Sequence, residues 1–193
     1  EFNRLSIAHH DINFSLNPKS ILILKGRNGS GKTSLLKILL NILKPSNGTI
    51  YWKGKILNKN LYDYFKNITY IADKTSSIRQ LTVNENIKIW QKMFLSDLDL
   101  KQIESILSIL DIKNFLNNKV STLSLGEMKK LEFLRLIIEN KKIWILDEPF
   151  SNLDSNSIRM VEDTFSDHCN NGGSIIFSSH QNPKIQVSNE ILL

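Results

Sequence analysis

Gly26-Arg27-Asn28-Gly29-Ser30-Gly31-Lys32-Thr33 lies between the continuous apolar run Ile21-Leu22-Ile23-Leu24 and a segment carrying Leu35, Leu36, Ile38, Leu39, Ile42 and Leu43. The run predicts a buried strand, and the helical spacing of the later apolar residues predicts a helix, so the eight residues join strand to helix through a glycine-rich turn. The three glycines open backbone conformations closed to residues with side chains, which lets successive N–H groups turn inward around an anion. The N-terminus of the following helix adds its dipole to the same point. Lys32 can reach outer phosphates as a point charge, and Thr33 places a hydroxyl beside a phosphate-bound Mg²⁺. The stretch therefore reads as a phosphate-binding loop.

The composition sets the scale of the fold around that loop. With 193 residues, 41% of them hydrophobic, the chain suffices for one sizeable α/β core. A single cysteine, Cys169, excludes an internal disulfide framework and fits a reducing compartment. No apolar run approaches the ~20 residues of a membrane-spanning helix, and the first residues carry no basic-then-apolar signal pattern. The net charge of +6 comes largely from lysines scattered through the chain, which reads as a solvated basic surface and predicts no specific nucleic-acid partner.

Upstream of the loop, Ile12 to Leu16 alternates as a half-exposed strand, and Asn17-Pro18-Lys19-Ser20 turns the chain into the buried run. Phe2, His9 and His10 precede it, either as ordinary surface residues or as a face that stacks on a nucleobase. Downstream, Thr49-Ile50-Tyr51-Trp52 and Lys53 to Leu57 read as a hairpin, and Ile68 to Ala72 as another buried strand. Thr82 with Glu85 forms a capping box that opens a helix through Ile87, Ile89, Trp90 and Phe94. Ile103, Ile106, Leu107 and Leu110 give a second amphipathic helix. Consecutive helices without a strand between them depart from strict βα alternation and predict a helical insertion.

Ser124 with Glu127 is a further capping box, inside Leu123-Ser124-Leu125-Gly126-Glu127, and opens a helix with Leu131, Leu134 and Ile138 on one face. Its serine hydroxyl and the N–H of Gly126 suffice to cap that helix, and equally can hold an anion presented from outside. Lys142 to Pro149 reads as a buried strand whose polar end carries Asp147 and Glu148. Alternation along a strand points the two carboxylates to opposite faces, which suits one to a metal and the other to an attacking water. After the polar turn Ser151-Asn152-Leu153-Asp154, a helix around Ile158 to Phe165 and the strand Ser174 to Ser178 bring His180 to a strand's carboxyl end. In an open α/β sheet that is the edge where the ligand crevice and the phosphate loop lie.

The ordered set of loop at 26–33, Ser124–Gly126 segment, adjacent carboxylates at 147 and 148, turn at 151–154 and His180 resembles the ATP-binding cassette (ABC) ATPases over essentially the whole chain. Within that family, Leu81 to Asn86, Ile143 to Phe150 and Gly172 through Gln181 are most similar to the ATPases of cytochrome c maturation (heme exporter) systems. The resemblance implies an α/β P-loop NTPase fold of the ABC type, a mainly parallel sheet with an antiparallel β region and an inserted helical subdomain. It implies one domain over 1–193, with a core of about 1–73 and 140–193 and a helical subdomain of about 74–139. It further implies an ATPase that uses ATP with Mg²⁺ to drive heme delivery or release. The partners implied are a second copy, in a head-to-tail dimer that sandwiches ATP, and an integral membrane permease of the CcmB type with a CcmC-type protein. The expected place is peripheral, on the cytoplasmic face of an inner membrane or the matrix face of an organellar one. An exporter ATPase for a peptide, drug or lipid is the alternative, and a DNA-maintenance ATPase of the same family a more distant one, since those chains insert long coiled coils or DNA-contacting domains where this one has a short helical segment.

Carried onto this chain, the family's pattern gives Gly26 to Thr33 and Ser34 to the nucleotide phosphates, with Lys32 on the outer two. Thr33 and Asp147 hold Mg²⁺, Glu148 orients or deprotonates the water, and His180 senses the γ-phosphate. Ser124 and Gly126 cap the γ-phosphate of the partner's nucleotide, and Asp154 lies at the dimer contact. The sequence departs from the family where Gln usually ends the strand before the insertion. Ala72-Asp73-Lys74 stands there, and Asp73 can reach Mg²⁺ through water. Leu125 and Glu127 stand where Gly and Gln are common, and Phe2 is the remaining candidate for stacking on the base.

Overall fold

The computed structural model describes residues 5–8 and 12–193, with the side chains of residues 12–193; Phe2, His9 and His10 lie outside the described residues. In chain order the elements begin with β1 (Leu5–Ala8), β2 (Phe14–Leu16), β3 (Ile21–Lys25), α1 (Lys32–Leu39), β4 (Thr49–Trp52), β5 (Lys55–Ile56), α2 (Leu61–Asn67) and β6 (Ile68–Ile71). They continue with α3 (Val83–Phe94), α4 (Leu100–Ile109), α5 (Leu125–Glu139), β7 (Ile143–Asp147), α6 (Ser155–Asn170), β8 (Ser174–Ser178) and β9 (Asn189–Leu192).

Two sheets share these strands. β2-β1-β4-β5 is antiparallel at every pairing, with Leu5 opposite Leu16 and Trp52, and the β4–β5 hairpin matches the sequence prediction. The second sheet runs β6-β7-β8-β3-β9, and β8 is parallel to β7 on one side and to β3 on the other. All five residues of β7 and of β8 are buried, as is expected of strands covered on both faces. That covering explains why the sequence shows continuous apolar runs there and not alternation. The expected α/β class, a mainly parallel sheet with a separate antiparallel one, is the fold found.

The chain forms two compact units. The first takes residues to Tyr70, then Lys141–Pro149 and Thr164–Leu193. Its core places Leu35, Leu36 and Leu39 of α1 with Leu22, Leu24, Ile143, Ile145 and Ile176 from the parallel sheet and with Trp52 and Tyr64. Trp52 and Tyr64 meet edge to face with ring centroids 5.4 Å apart, and the buried Tyr64 hydroxyl donates to the Leu39 carbonyl at 2.7 Å, where α1 has run out of N–H partners. Trp144 is stacked by His168, with centroids 3.7 Å apart, and burial pulls that imidazole down to a pKa of about 4, so it packs as a neutral ring.

The second unit takes Ile71–Asn140 and Phe150–Asp163, and is helical. The capping boxes expected at Thr82/Glu85 and Ser124/Glu127 are both formed, and Asp99 with Gln102 makes a third that the sequence reading left unremarked. α5 differs from its one-faced prediction. Lys129, Lys130, Glu132, Arg135 and Glu139 are buried with its leucines: Lys130 pairs with Asp111, Arg135 with Glu132 and Glu139, and Glu132 also takes the Ser76 hydroxyl. α2 and β9 were also missed. α2 carries no side-chain cap, and β9 is a mostly exposed edge strand of mixed composition, so neither announces itself in periodicity.

Replacing Tyr64 by Phe removes one buried hydroxyl and leaves the Leu39 carbonyl without its donor. The expected loss is about 1–2 kcal/mol of unfolding free energy, read as a lower urea midpoint at unchanged m-value.

Candidate active site

β3 ends at Lys25, and the chain turns at once through the glycine loop into α1. Gly29 and Gly31 take φ of +82° and +103°, in the left-handed region that favours glycine. Gly26 is required for a different reason. A Cβ there would lie 2.6 Å from the Leu193 backbone oxygen and 2.4 Å from the Ser30 hydroxyl oxygen, closer than any real Cβ contact. Among the described residues Ser30 Oγ is buried with no hydrogen-bond partner. Arg27, Asn28, Gly29, Thr33 and Ser34 are exposed along the loop. α1 begins at Lys32 after a left-handed Gly31 with no side-chain cap, in contrast to α3, α4 and α5. Its first-turn N–H groups are therefore turned toward the loop and supplied by no capping side chain.

Lys32 is 7% exposed and folds back over the loop, its Nζ donating to the Gly26 carbonyl at 2.9 Å and the Arg27 carbonyl at 3.2 Å. The same ammonium lies 3.2 Å from Nε2 of His180, and that ring nitrogen lies 3.2 Å from Oε1 of Glu148. One nitrogen cannot serve both neighbours at once: bare, it accepts from Lys32, and protonated, it donates to Glu148. Thr33 Oγ1 donates to Asp147 Oδ2 at 2.8 Å, and Ser178 Oγ donates to the other carboxylate oxygen at 2.6 Å. Ser178 Oγ in turn accepts from the Glu148 backbone N–H at 2.9 Å.

The structure thus brings Lys32, Thr33, Asp147, Glu148 and His180 into one cluster in the first unit. The two carboxylates have different partners, Thr33 and Ser178 for Asp147 and His180 for Glu148. β7 ends at Asp147, and Glu148 takes a left-handed φ of +47°, so the chain turns out of the strand between them and strand alternation does not set their relation. Ser178 is the member that sequence reasoning missed. Its signal was a hydroxyl ending an otherwise apolar strand one place from Ser179-His180.

Ser124, Gly126 and Asp154 line one cavity of about 620 Å³ in the second unit, with Asn152, Lys130, Phe115 and Asp111, none of which the sequence reading selected for a site. Ser124 Oγ accepts from the Glu127 N–H at 3.2 Å, which leaves its own proton free to donate outward, so capping and anion binding are compatible. A Cβ on Gly126 would meet the Asn152 carbonyl at 2.8 Å. Asp154 proves to be a helix cap, accepting from the N–H groups of Ser157 at 2.8 Å and Asn156 at 2.9 Å. The bonds from Ser157 in particular hold its carboxyl below the usual range. Asp73 is exposed and lines a different cavity of this unit, about 500 Å³, with Lys74, Arg79, Lys129 and Glu132.

A strand, an anion-accepting loop and a helix, with a carboxylate pair at the end of β7 two strands away in the same sheet, define a P-loop nucleotide-binding protein. The chain belongs to the ABC transporter family, whose profile matches residues 9–151. Among curated relatives it is similar to the cytochrome c biogenesis ATP-binding export protein CcmA of Reclinomonas americana, 35% identical over 97% of this chain and 84% of that one. The CcmA of Vibrio vulnificus strain YJ016 is 30% identical over 91% of this chain and 85% of that one. A solved structure of a putative ABC transporter ATP-binding protein from Pyrococcus furiosus shares the fold, with a TM-score of 0.83 at 22% identity, over 98% of this chain and 97% of that one. The chain is accordingly an ABC-type ATPase, and among the described residues no helix is long and apolar enough to cross a membrane.

Gly26→Ala is expected to displace the Ser30 hydroxyl and the loop together and to weaken ATP binding by about tenfold or more. Titration with a fluorescent ATP analogue, with circular dichroism as the control for folding, measures it.

Proposed function

We propose that this chain is the ATP-hydrolysing subunit of a cytochrome c biogenesis complex, working at the membrane with a permease of the CcmB type and a CcmC-type protein to drive heme delivery or release. The observation that carries the catalytic part is the cluster joining Lys32, Thr33, Asp147, Glu148 and His180, with Ser178 as the bridge, through contacts of 2.6–3.2 Å. The name borne by the curated relatives supports the pathway and disfavours the peptide, drug or lipid exporter. In this reading the loop N–H groups and Lys32 bind the outer phosphates, which replace the Gly26 and Arg27 carbonyls as acceptors for a charged donor. The Thr33 hydroxyl and the Asp147 carboxylate are hard oxygen donors side by side at a strand end, a set that fits Mg²⁺, which keeps water and phosphate as its remaining ligands. Bound there, Mg²⁺ would supply charge neutralisation of the phosphates.

Glu148, set just past β7 on a left-handed backbone and 3.2 Å from His180, is suited to orient or deprotonate the attacking water. His180 links that base to the phosphate-binding ammonium and so registers the γ-phosphate. Ser124 and Gly126 act on the nucleotide of a second copy in a head-to-tail dimer, with Asp154 near the contact. The complex lies on the cytoplasmic face of an inner membrane or the matrix face of an organellar one, with this chain peripheral to it.

Glu148→Gln is expected to bind ATP as the wild type does, to lose about 10²–10³ in turnover and to sediment as a dimer in Mg-ATP. Phosphate release and analytical ultracentrifugation read these outcomes, and undiminished hydrolysis would remove Glu148 from the role of base. The same variant, used with Mg-ATP to capture partners from native membranes, should recover CcmB-like and CcmC-like proteins. Recovery of another permease would overturn the cytochrome c assignment and leave the ATPase chemistry standing.

A further inference from the structure

Glu132 sits in the middle of α5, is 2% exposed, and belongs to none of the nucleotide motifs. Its carboxylate is nevertheless among the most heavily bonded groups of the second unit. Oε1 accepts from the Thr75 hydroxyl at 2.6 Å, the Ser76 N–H at 2.8 Å, the Ser77 hydroxyl at 2.9 Å and the Ser77 N–H at 3.1 Å. Oε2 accepts from the Ser76 hydroxyl at 2.9 Å and from Arg135 Nε at 3.0 Å, and Arg135 also pairs with Glu139. Burial by itself would raise the pKa of Glu132, but the Arg135 charge and the three hydroxyls outweigh it and hold the carboxyl below its usual value. The group is an anion wrapped by one short segment of backbone.

What that segment connects gives the clamp its meaning. Thr75–Ser77 begins one residue after Asp73-Lys74, and α5 begins with Ser124 and Gly126, eight residues and about 12 Å of helix before Glu132. The far side of the segment is fixed as well: Asn86, fully buried on α3, accepts from the Ile78 N–H at 2.8 Å and donates back to the Ile78 carbonyl at 3.1 Å. Arg79 and Leu81 then accept from the N–H groups of Ser121 and Val120, each at 2.9 Å, just before Ser124. The residues after Asp73 are thus bolted to α3, to the approach to Ser124 and to α5, and the α5 bolt is a single side chain.

We propose that Glu132 is a positioning residue for ATP hydrolysis, locking the Thr75–Ser77 segment and the Ser124–Gly126 helix end into one rigid piece of the second unit, so that Ser124 and Gly126 are held in place for the hydrolytic step. Nucleotide is held by the phosphate loop of the first unit, so the clamp governs turnover and not affinity. A buried carboxylate with six donors is also costly to assemble for stability alone, since an apolar residue would fill the same position without burying a charge. The inference rests on the ATPase reading above.

Steady-state hydrolysis and nucleotide binding by the full chain test it, with wild type, Lys32→Ala, Glu132→Ala and the double variant Ser76→Ala/Ser77→Ala. The double variant keeps the Glu132–Arg135 pair and the backbone donors, and carries the test if Glu132→Ala does not fold. For whichever of Glu132→Ala and Ser76→Ala/Ser77→Ala folds, kcat should fall by about tenfold or more, while KM and the binding constant for the ATP analogue stay within about twofold of wild type. Glu132→Gln, which retains one acceptor oxygen for the segment, should lie between wild type and Glu132→Ala. A kcat within about twofold of wild type in the folded variants, or a loss that falls equally on binding, overturns the positioning role. Wild-type turnover no faster than that of Lys32→Ala would strike the ATPase reading itself, and the proposal with it.

Discussion

The Asp147 carboxylate is the constraint on which the nucleotide end of the first unit depends. One oxygen is held by a hydroxyl from the first turn of α1 and the other by a hydroxyl from the last residue of β8, while the strand beneath it is buried along its whole length. A charge in that position is tolerable only because both oxygens have donors at 2.6–2.8 Å. Those two bonds fix the start of α1 relative to the ends of β7 and β8, and with it the height of the glycine loop over the sheet. Ser178 then passes the constraint on, since its oxygen receives the Glu148 N–H and so stabilises the left-handed turn at Glu148.

How much of this was legible in the sequence follows from which interactions are local. The phosphate loop, the four buried strands and the capping boxes at Thr82 and Ser124 could be read because their determinants lie within a few residues of one another. The His180 contact with Lys32 spans 148 positions, and only the rule that strand ends gather at one edge of the sheet pointed to it. Ser178 ends the same strand, so the rule covers it too, but a serine at a strand end has many ordinary uses and its partner Asp147 lies 31 positions away. The failure at α5 has a different origin. Periodicity finds the apolar face of a helix by residue type, and nothing in it singles out the five charged residues of α5 as buried. Glu132 is buried because its partners, the Thr75–Ser77 segment, come from more than 50 positions away, and Arg135 and Glu139 follow it inside through their own pairing.

The two units manage helix N-termini in opposite ways, and the difference sorts their roles. α3, α4 and α5 each spend a side chain on closing their first turn. α1 spends a left-handed glycine, which shapes the turn and donates nothing from a side chain. Sequence alone made Ser124 ambiguous between cap and anion ligand. The bond to the Glu127 N–H removes the conflict, because it uses a lone pair of the hydroxyl and not its proton. A capped helix can therefore still present a donor, and Leu125, 62% exposed in the next position, keeps that end of α5 open toward solvent.

The same economy of donors bears on how phosphate competes for the loop. Lys32 is satisfied by two backbone carbonyls, Thr33 by a carboxylate and the helix start by its glycine turn. For Lys32 the internal acceptors are neutral, and a bond between an ammonium and a phosphate oxygen is roughly twice as strong as one to a neutral carbonyl. Exchange of partners at Lys32 thus favours the phosphate without first exposing a buried charge. For Thr33 the internal acceptor is already charged, so its hydroxyl gains from exchange only if a cation takes over Asp147. In the proposed function the two adjacent residues answer to different parts of the ligand, Lys32 to phosphate and Thr33 to the Mg²⁺ that Asp147 would hold, and that division would favour a metal–nucleotide pair over either component alone.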